Sequence, residues 1–400
     1  MLSGAAMTYR VAIVGTGPSG FYAADGLLRA RPDLRIDLID RLPTPFGLVR
    51  AGVAPDHQGT KAIVRQFERL LAEPDVRFAG NVDIGRDLSW DELRQGYDAV
   101  IVATGMVIDR KLGISGEDLP HVWGSWRFVA WLNGHPDFRA GPDLSPVKSV
   151  AVIGNGNVAL DVARVLAKSA DEMAKSDIVP EAGAAIAAAP LSGIHVIGRR
   201  GPEHASFTSN ELAEMGRLAR AMALADAKAL DVQPPAGDPT PERLRKTKNL
   251  EILRGFAANR SARKPIALHF LFNAAPKSIT ADAVELTTGT LAADLVITCI
   301  SYAGEPIPEG EGVFRVGWAR RGPTGTIPTN RAESHAVAKE VLAWLGDRDP
   351  KSGPDLLPPL VDVAGWHRID KAEVAAGAKA GRPRVKLSDW KSLLAVAQGE

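Results

Sequence analysis

The chain has 400 residues, of which 45% are hydrophobic and 24% charged, and its net charge is +1. This length suits two or three globular domains, and the charge balance gives no argument for binding nucleic acid. The single cysteine, Cys299, excludes intramolecular disulfides, CxxC redox pairs and all-cysteine zinc or iron–sulfur sites within this chain. Cys299 itself is expected to be a small buried strand residue.

Other patterns are absent from the sequence. No run of about twenty apolar residues occurs, so no membrane span is expected. The first ten residues lack the apolar run of a secretory signal, and we expect a cytoplasmic location. The eight histidines show no HxxxH or HExxH spacing, so no metal site is expected.

The first predicted elements form one βαβ unit. A buried strand over residues 11–14 precedes a helix over 21–31 and an alternating strand over 35–40. A loop rich in proline and glycine spans residues 42–59. It leads into a helix predicted over residues 60–72 and a buried strand over 97–105. A right-handed parallel crossover is expected for such a unit.

The pattern then restarts at residue 149. A strand over residues 149–153, a helix over 157–168 and a strand over 194–197 repeat the plan, with an insertion over 169–192. Three more strands are predicted at residues 266–272, 295–300 and 313–316. The tail over residues 371–384 is rich in Ala, Lys and Arg and is expected to be peripheral.

Together these elements predict an α/β fold with two Rossmann-like dinucleotide-binding domains. The second domain, residues 108–312, is predicted to be inserted in the first. The first domain would then comprise residues 7–107 and 313–400.

A glycine fingerprint follows the first strand and opens the first helix. Gly15 permits a tight turn, Gly17 lets the backbone approach a pyrophosphate, and Gly20 allows the helix to pack closely on the strand. The helix N-terminus adds unpaired N–H groups. Asp40, at the end of the next strand, can accept hydrogen bonds from ribose hydroxyls. The alternative, a glycine-rich turn that binds nothing, is less favoured by this context.

A second fingerprint, of the form GxGxxA, spans residues 154–159. Here the following strand ends not in an acid but in Arg199 and Arg200. Two guanidinium groups form charge-assisted bonds to a 2′-phosphate, whereas a carboxylate would repel it. We therefore expect NADP to be preferred over NAD at this site; a solvated arginine pair is the alternative.

These motifs resemble the adrenodoxin-reductase-like branch of the ferredoxin–NADP reductases. The resemblance covers most of the chain, in the order of the family. Its stretches are residues 15–20, 42–50 (LPTPFGLVR), 52–57 (GVAPDH), 154–164 (GNGNVALDVAR), 198–202 (GRRGP) and 317–325 (GWARRGPTG). The proline-rich loop with its APDH end is the most specific of them.

The resemblance implies FAD in the first site and NADPH in the second. By position, the FAD contacts would include Gly15, Gly17, Ser19, Gly20, Asp40, Leu48, Val82, Trp318, Gly325, Thr326 and Ile327. The NADPH contacts would be Arg110, Asn155, Gly156, Asn157, Val158, Arg199, Arg200 and Glu211. Burial as an apolar anchor is the alternative role of Trp318.

The chain departs from the family in three places. It has Ser301-Tyr-Ala-Gly304 for Gly-Tyr-Arg-Gly, a short segment over residues 305–312, and Thr326-Ile-Pro-Thr-Asn330 for Val-Ile-Gly-Thr-Asn. All three fall near the expected flavin edge.

The resemblance implies an enzyme that transfers hydride from NADPH to FAD and then passes single electrons to a ferredoxin, expected to be of the 2Fe–2S type.

His57 and Glu214 are the candidate catalytic residues, for proton relay or polarisation of the flavin ring. A loop cap and a solvated helix face are their respective alternatives. A basic run over residues 243–248, with Arg217 and Arg220, is a candidate docking patch for an acidic ferredoxin, with a solvated helix face as the alternative.

Two other functions remain open on the sequence. An NADPH-dependent flavin oxidase or monooxygenase is one, although the FxGxxxH signature of one such group is missing. A fold-related binding protein that no longer cycles FAD is the other.

Overall fold

A computed structural model describes residues 8–259, 264–307, 309–346, 348–351, 355–358 and 360–400. Residues 1–7, which hold most of the N-terminal stretch considered for a secretory signal, lie outside the described residues. So does Pro308 of the short 305–312 segment.

The described part of the chain contains sixteen strands, most of them short. They are β1 (Arg10–Val14), β2 (Arg35–Asp40), β3 (Val76–Gly80), β4 (Ala99–Val102), β5 (Ile108–Asp109), β6 (Val122–Gly124), β7 (Ser149–Ile153), β8 (Gly193–Ile197), β9 (Ala221–Ala225), β10 (Ile266–Leu271), β11 (Pro276–Ile279), β12 (Ala283–Leu286), β13 (Gly289–Ala292), β14 (Leu295–Thr298), β15 (Tyr302–Ala303) and β16 (Val313–Arg315).

Fifteen α-helices alternate with these strands in the described residues. They are α1 (Pro18–Ala30), α2 (Leu48–Ala51), α3 (Gln58–Lys61), α4 (Val64–Leu71), α5 (Trp90–Gly96), α6 (Ser125–Leu132), α7 (Asn157–Ala167), α8 (Ala170–Met173), α9 (Pro180–Ala188), α10 (Ser209–Met215), α11 (Thr240–Ala257), α12 (Trp318–Arg321), α13 (Ile327–Leu345), α14 (Val363–Ala380) and α15 (Trp390–Gln398).

The first sheet is parallel throughout, with the strand order β16-β4-β1-β2-β3. Its strands are apolar runs because both faces are covered. One face packs against α1, α13 and the C-terminal helices through residues such as Phe21, Val337 and Trp366. The chain leaves this sheet after β4 and returns to it only at β16.

The second sheet is built from the intervening residues and has the order β6-β14-β7-β8-β10-β9. It too is parallel throughout. One face forms the largest apolar core of the molecule, to which α6, α7 and α11 contribute. The other face packs on the antiparallel sheet β11-β12-β13. The fold is therefore α/β with two Rossmann-like units, as the sequence predicted.

A two-stranded antiparallel ribbon lies where the chain crosses between the two sheets. Tyr302 pairs with Asp109, and Ala303 pairs with Ile108. The outgoing and returning crossovers are thus joined by backbone hydrogen bonds.

Most strands predicted from the sequence are confirmed, but one predicted helix was wrong. The helix expected over residues 60–72 is two helices, α3 and α4, separated at Ala62 and Ile63. The tail over residues 371–384 is mostly exposed, except that Glu373 and Gly377 of α14 are buried. Ion pairs with Arg50 and Arg384, which single-sequence patterns do not reveal, accompany the burial of Glu373.

Among the described residues, no helix combines the length and apolar character that crossing a bilayer requires.

Candidate functional site

The first fingerprint forms a turn that only glycine can make at two of its positions. Gly15 has φ +103°, and a Cβ there would lie 2.5 Å from the carbonyl oxygen of Ala103. A Cβ on Gly20 would lie 2.2 Å from the carbonyl oxygen of Gly15. A Cβ on Gly17, by contrast, would meet nothing within 4 Å. The turn therefore leaves an open approach to the N-terminus of α1, where a pyrophosphate would sit.

The proline-rich loop closes over this turn. The Phe46 N–H donates to the carbonyl oxygen of Thr16 (3.0 Å), and a Cβ on Gly47 would lie 2.9 Å from Gly17 Cα. Phe46 has φ +83° and packs against Phe21 and Trp366. The loop thus brings Gly47, the neighbour of Leu48, against the fingerprint; the contact of Leu48 with FAD stays a prediction.

Asp40 holds the fingerprint turn as well as facing the site. Its Oδ2 accepts from the backbone N–H (2.9 Å) and the hydroxyl of Thr16, and Oδ1 accepts from the Leu42 N–H (3.0 Å). The carbonyl oxygen of Asp40 accepts from the N–H of Val82, which is buried. Asp40 therefore stabilises the fingerprint turn through hydrogen bonds that it accepts from Thr16, a role that the sequence analysis did not predict.

The N-terminus of a second helix, α13, converges on the same place. Ser19 Oγ donates to Asn330 Oδ1 (3.1 Å), and Gly317, at φ +66°, lies against Ser19. Gly325, Thr326 and Ile327 form the start of α13, with Gly325 and Thr326 exposed. The first turns of two helices, from chain segments about 300 residues apart, are thus joined by a side-chain hydrogen bond.

Trp318 opens the short helix α12, which precedes α13, and is half-buried rather than a core anchor. Its indole N–H donates to the carbonyl oxygen of Thr324 (3.0 Å). Its ring stacks on that of Tyr302, with centroids 5.9 Å apart and planes at 18°. Tyr302 Oη in turn lies 3.0 Å from Ser125 Oγ. The ring pair therefore joins the returning strand of the ribbon to the first unit.

The second fingerprint repeats the geometry of the first. The Gly15 N–H donates to the carbonyl oxygen of Ile39 (2.8 Å), and the Gly154 N–H donates to that of Ile197 (3.0 Å). A Cβ on Gly154 would lie 2.3 Å from the carbonyl oxygen of Cys299. Ala159 is fully buried at the position corresponding to Gly20. Cys299 is half-buried at the end of β14 rather than fully buried inside it.

The side chains around the second fingerprint fit a phosphorylated dinucleotide. Asn155 Oδ1 is buried and, within the described structure, has no hydrogen-bond partner. Asn157 Oδ1 accepts from the Thr208 N–H (2.8 Å), which fixes the turn. Arg199 and Arg200 are exposed at the end of β8, and neither side chain forms an ion pair within the described residues. The two guanidinium groups offer charge-assisted donors to an anion, whereas the unpaired amide oxygen of Asn155 is an acceptor and offers a partner to a hydroxyl or amide N–H.

Arg110 and Val158 complete the predicted NADPH contacts. Val158 is the second residue of α7, beside Asn157, and Arg110 is exposed just after β5. Arg110 Nε donates to the carbonyl oxygen of Tyr302 (3.2 Å). Arg110 therefore lies at the crossover ribbon rather than against the fingerprint.

His57 lies where the two units meet, and its neighbours come from the second unit. Its Nε2 is 3.4 Å from Glu211 Oε2, and its Nδ1 is 3.9 Å from Asp161 Oδ1. His57 occupies the N-cap position of α3, but its side chain makes no capping hydrogen bond. The loop-cap alternative is therefore not what the geometry shows.

Glu214, the other candidate catalytic residue, does not pair with His57. Its carboxylate is 46% exposed and lies 3.7 Å from Arg164 Nε. Glu211, which the resemblance assigns to NADPH, is the carboxylate next to His57. The structure thus brings His57, Glu211 and Glu214 together around one arginine, on two units.

Arg164 is the residue at this junction that the sequence analysis missed. Its fully buried guanidinium forms a bidentate pair with Asp56 (2.7 and 3.0 Å) and contacts Asp161 (2.8 Å) and Glu211 (2.9 Å). Lys168 Nζ adds a second contact to Asp56, at 2.7 Å. The signal was present in the sequence, because Asp161 and Arg164 lie three residues apart on α7 and Lys168 follows directly after the helix.

The protonation of this cluster is shifted by burial and mutual charge. Burial lowers the pKa of His57, and the neighbouring Arg164 lowers it further. Burial raises the pKa of Asp161 to about 6, and that of Glu211 is raised by burial and by Asp161. Burial opposes ionisation of Asp56, but its bonds to Arg164 and Lys168 outweigh this and lower its pKa. Groups with opposing shifts in one cleft are typical of functional sites.

His57, Asp161 and Glu211 also offer one ligand atom each within 4.8 Å of one another. Arg164 Nη1 lies 2.8 Å and 2.9 Å from these same two carboxylates and supplies the positive charge there. The expectation that the protein has no metal site stays a prediction.

Two Rossmann-like units, each with a fingerprint opening on a cleft, define the class of the protein: a nucleotide-binding oxidoreductase with two dinucleotide sites. A family profile described as pyridine nucleotide-disulphide oxidoreductase matches residues 9–190.

Individual relatives match over nearly the whole chain. The NADPH-ferredoxin reductase FprA of Mycobacterium tuberculosis (strain ATCC 25618 / H37Rv) is 36% identical, covering 98% of this chain and 99% of the relative. The mitochondrial NADPH:adrenodoxin oxidoreductase of Arabidopsis thaliana is 34% identical, covering 97% and 95%. The solved structure of Mycobacterium tuberculosis FprA in complex with NADPH matches with a TM-score of 0.92 at 36% identity, over 98% of this chain and all of that one.

The chain therefore belongs to the adrenodoxin-reductase-like family of ferredoxin–NADP reductases.

Proposed function

We propose that the protein is a ferredoxin–NADP⁺ reductase that takes hydride from NADPH onto FAD and passes single electrons to a ferredoxin. FAD belongs to the first unit, residues 7–107 and 313–400, and NADPH to the second, residues 108–312. Relatives named as NADPH-ferredoxin and adrenodoxin reductases support the proposed activity. The protein is also proposed to act in the cytoplasm, which cell fractionation tests.

The observation that carries the proposal is the arrangement of the two fingerprints. Each is a glycine turn at the carboxyl end of a parallel strand, and the units that bear them contact one another at His57 and Glu211. FAD, when bound, supplies exchange of hydride with nicotinamides and of single electrons with iron–sulfur proteins. The chain has to hold the two cofactors in register and exclude water between them.

The residues at the junction divide this work. Arg199 and Arg200 bind the 2′-phosphate, and Asn155 to Val158 receive the pyrophosphate at the start of α7. Trp318 and Tyr302 form an aromatic wall where the reacting rings would meet. His57, kept neutral by burial and Arg164, and Glu214 are the candidate groups that move the proton.

The deciding experiment is an anaerobic titration of the purified protein with NADPH, followed by addition of oxidised ferredoxin. A yellow protein that is bleached by NADPH and recovers its colour with ferredoxin supports the proposal. Oxygen uptake matched to NADPH consumption, with no effect of ferredoxin, would indicate the oxidase or monooxygenase instead. A colourless protein that binds neither cofactor would contradict both.

The predicted docking patch is only partly available. Arg243 and Lys248 on α11 are exposed, as is Arg217, and Leu244 between them is 64% exposed. Arg245, by contrast, donates to the carbonyl oxygen of Phe207 (2.6 Å), and Lys246 is buried against Asp238 (2.7 Å). We propose that the exposed part meets an acidic ferredoxin.

Charge reversal tests this surface. Arg243→Glu/Lys248→Glu should raise the KM for ferredoxin about tenfold and weaken its salt dependence, while flavin reduction by NADPH stays unchanged. The matched control is Lys277→Glu, an exposed lysine on β11 of the same unit. Salt-independent reduction of ferredoxin by the unaltered protein would argue against the patch.

A further inference from the structure

Arg164 has an environment that is unusual for an arginine. Its side chain is 0% exposed and lies within 4.0 Å of four carboxylates, those of Asp56, Asp161, Glu211 and Glu214. A buried cation is stable only where such groups compensate it. Within the described residues, the guanidinium reaches every one of the four acids that surround His57.

The location of Arg164 on its helix links this cluster to the second fingerprint. Helix α7 starts at Asn157, directly after Gly156, and Arg164 follows seven residues later. At 1.5 Å per residue, its backbone lies about 10 Å along the axis from the helix start. A dinucleotide at the start of α7 and the guanidinium of Arg164 are thus carried by one rigid element.

The partner of Arg164 across the junction is the loop that carries His57. Asp56, the neighbour of His57 in the chain, is bound by Nε and Nη2 of the guanidinium, and its side chain is 3% exposed. The same loop is held again by the Asp177 N–H, which donates to the carbonyl oxygen of Pro55 (3.1 Å). The position of His57 is therefore set by groups of the other unit.

We propose that Arg164 is a positioning residue for the proposed reaction: through its buried guanidinium, helix α7 fixes the His57 loop and the charge balance around the imidazole. This inference rests on the proposed function. His57 touches the reacting groups, whereas Arg164 acts through His57 and the carboxylates.

The sign of the charge effect follows from the groups that face His57. These are Asp56 from its own loop, Asp161 and Arg164 from α7, and Glu211 and Glu214 from α10; Lys168 faces Asp56 instead. Arg164 is the cation in this set. Its removal leaves the acids in place and favours the protonated imidazole.

The test follows the ring nitrogens of the eight histidines by NMR across pH, with His57→Gln used to assign the His57 signal. In Arg164→Met, the midpoint of the His57 titration should rise above the ordinary histidine pKa of about 6.5. In Arg164→Lys, which keeps the charge but loses the bidentate bond, it should stay close to that of the unaltered protein. If the substitutions merely loosened the loop, the midpoint of the His57 titration would be about 6.5 in both variants.

Lys168→Met is the matched control, because Lys168, directly after α7, is another cation paired with Asp56 but does not face His57. It should leave the His57 midpoint unchanged. If Arg164→Met does not fold, Asp56→Asn/Arg164→Met removes both members of the pair and should shift the midpoint in the same upward direction.

The pH profile of single-turnover flavin reduction should move in parallel with the NMR midpoint. The proposal would be overturned if the midpoint of the His57 titration did not change in Arg164→Met. It would also be overturned if that midpoint shifted equally in Arg164→Met, Arg164→Lys and Lys168→Met. A protein that NADPH fails to bleach would defeat the proposed function, but the NMR titration would still report whether Arg164 governs His57.

Discussion

The ammonium of Lys61 and the carboxylate of Asp177 meet at 2.7 Å across the junction of the two units, although 116 residues separate them in the chain. Lys386, from the C-terminal segment, reaches the same carboxylate at 2.9 Å, and both lysines also contact Asn133 Oδ1. Burial opposes ionisation of Asp177, but the two lysines outweigh it and hold its pKa at about 2. One carboxylate thus joins three separate segments of the chain.

Asp177→Asn should be strongly destabilising, because it leaves two buried lysines without their counter-charge. The expected loss is about 3–5 kcal/mol in the free energy of unfolding, measured by urea denaturation at pH 7. The matched control is Asp171→Asn, an exposed residue of the neighbouring helix α8, which should change it by less than about 0.5 kcal/mol. Equal effects of the two substitutions would mean that the buried ion pairs make no net contribution to the free energy of unfolding.

The first fingerprint allows binding to be separated from folding. Gly17→Ala adds a methyl group that meets nothing within 4 Å in the protein but lies in the path of a pyrophosphate. This variant should keep the thermal stability of the flavin-free protein and lose FAD affinity by at least about tenfold. Gly20→Ala, whose Cβ would lie 2.2 Å from a backbone oxygen, should instead unfold more easily. Normal FAD binding by Gly17→Ala would show that the pyrophosphate lies elsewhere.

Coenzyme preference should depend on Arg199 and Arg200. Replacing both with alanine removes two charge-assisted contacts worth roughly 1.5–3 kcal/mol each. The ratio of kcat/KM for NADPH to that for NADH should fall by on the order of a hundredfold or more. The exposed Lys277→Ala should leave the ratio unchanged, and a ratio that survives the double substitution would rule out phosphate recognition by this pair.

A stacked histidine pair should make the second unit sensitive to acid. The rings of His195 and His269, on β8 and β10, lie 5.0 Å apart at 7°. Burial, with the neighbouring His269, lowers the pKa of His195 to about 4, and burial lowers that of His269. Because the folded protein holds these bases neutral, stability is full above the unfolded pKa of about 6.5 and falls as the pH drops from there toward 4.

His195→Phe keeps a ring in the stack but cannot be protonated. It should reduce the loss of stability between pH 7 and pH 5 by about 1–2 kcal/mol, as measured by urea denaturation at each pH. The exposed His367→Gln serves as the control and should follow the unaltered protein. If His195→Phe loses as much stability between pH 7 and pH 5 as the unaltered protein, groups other than His195 cause the sensitivity to acid.

Much of the fold could be predicted because its signals are local. Buried parallel strands read as short apolar runs, and each fingerprint encodes a turn within six residues. The strands 35–40 and 149–153 were predicted with the observed ends. The three-stranded sheet β11-β12-β13 and the crossover ribbon gave no comparable signal, because their short strands alternate weakly and depend on partners distant in the chain.

The site residues divide in the same way. Fingerprint glycines and the arginine pair follow from motifs, whereas the pairing of His57 with Glu211, and the position of Arg164 among the acids, depend on how two units pack. The C-terminal tail also shows that burial caused by partners distant in the chain cannot be predicted from local sequence. Glu373 looks like a surface acid in a run rich in Ala and Lys, yet it is buried because Arg50 and Arg384 meet it there.

The sequence by itself determined two α/β units, two glycine turns and a basic end to the second nucleotide site, since each depends on residues close together in the chain. Only the tertiary structure decided which charges meet. Buried pairs such as Arg164 with Asp56 and Lys61 with Asp177 are stable only when both partners leave water together. That condition is set by the packing of the two units, not by the spacing of residues along the chain.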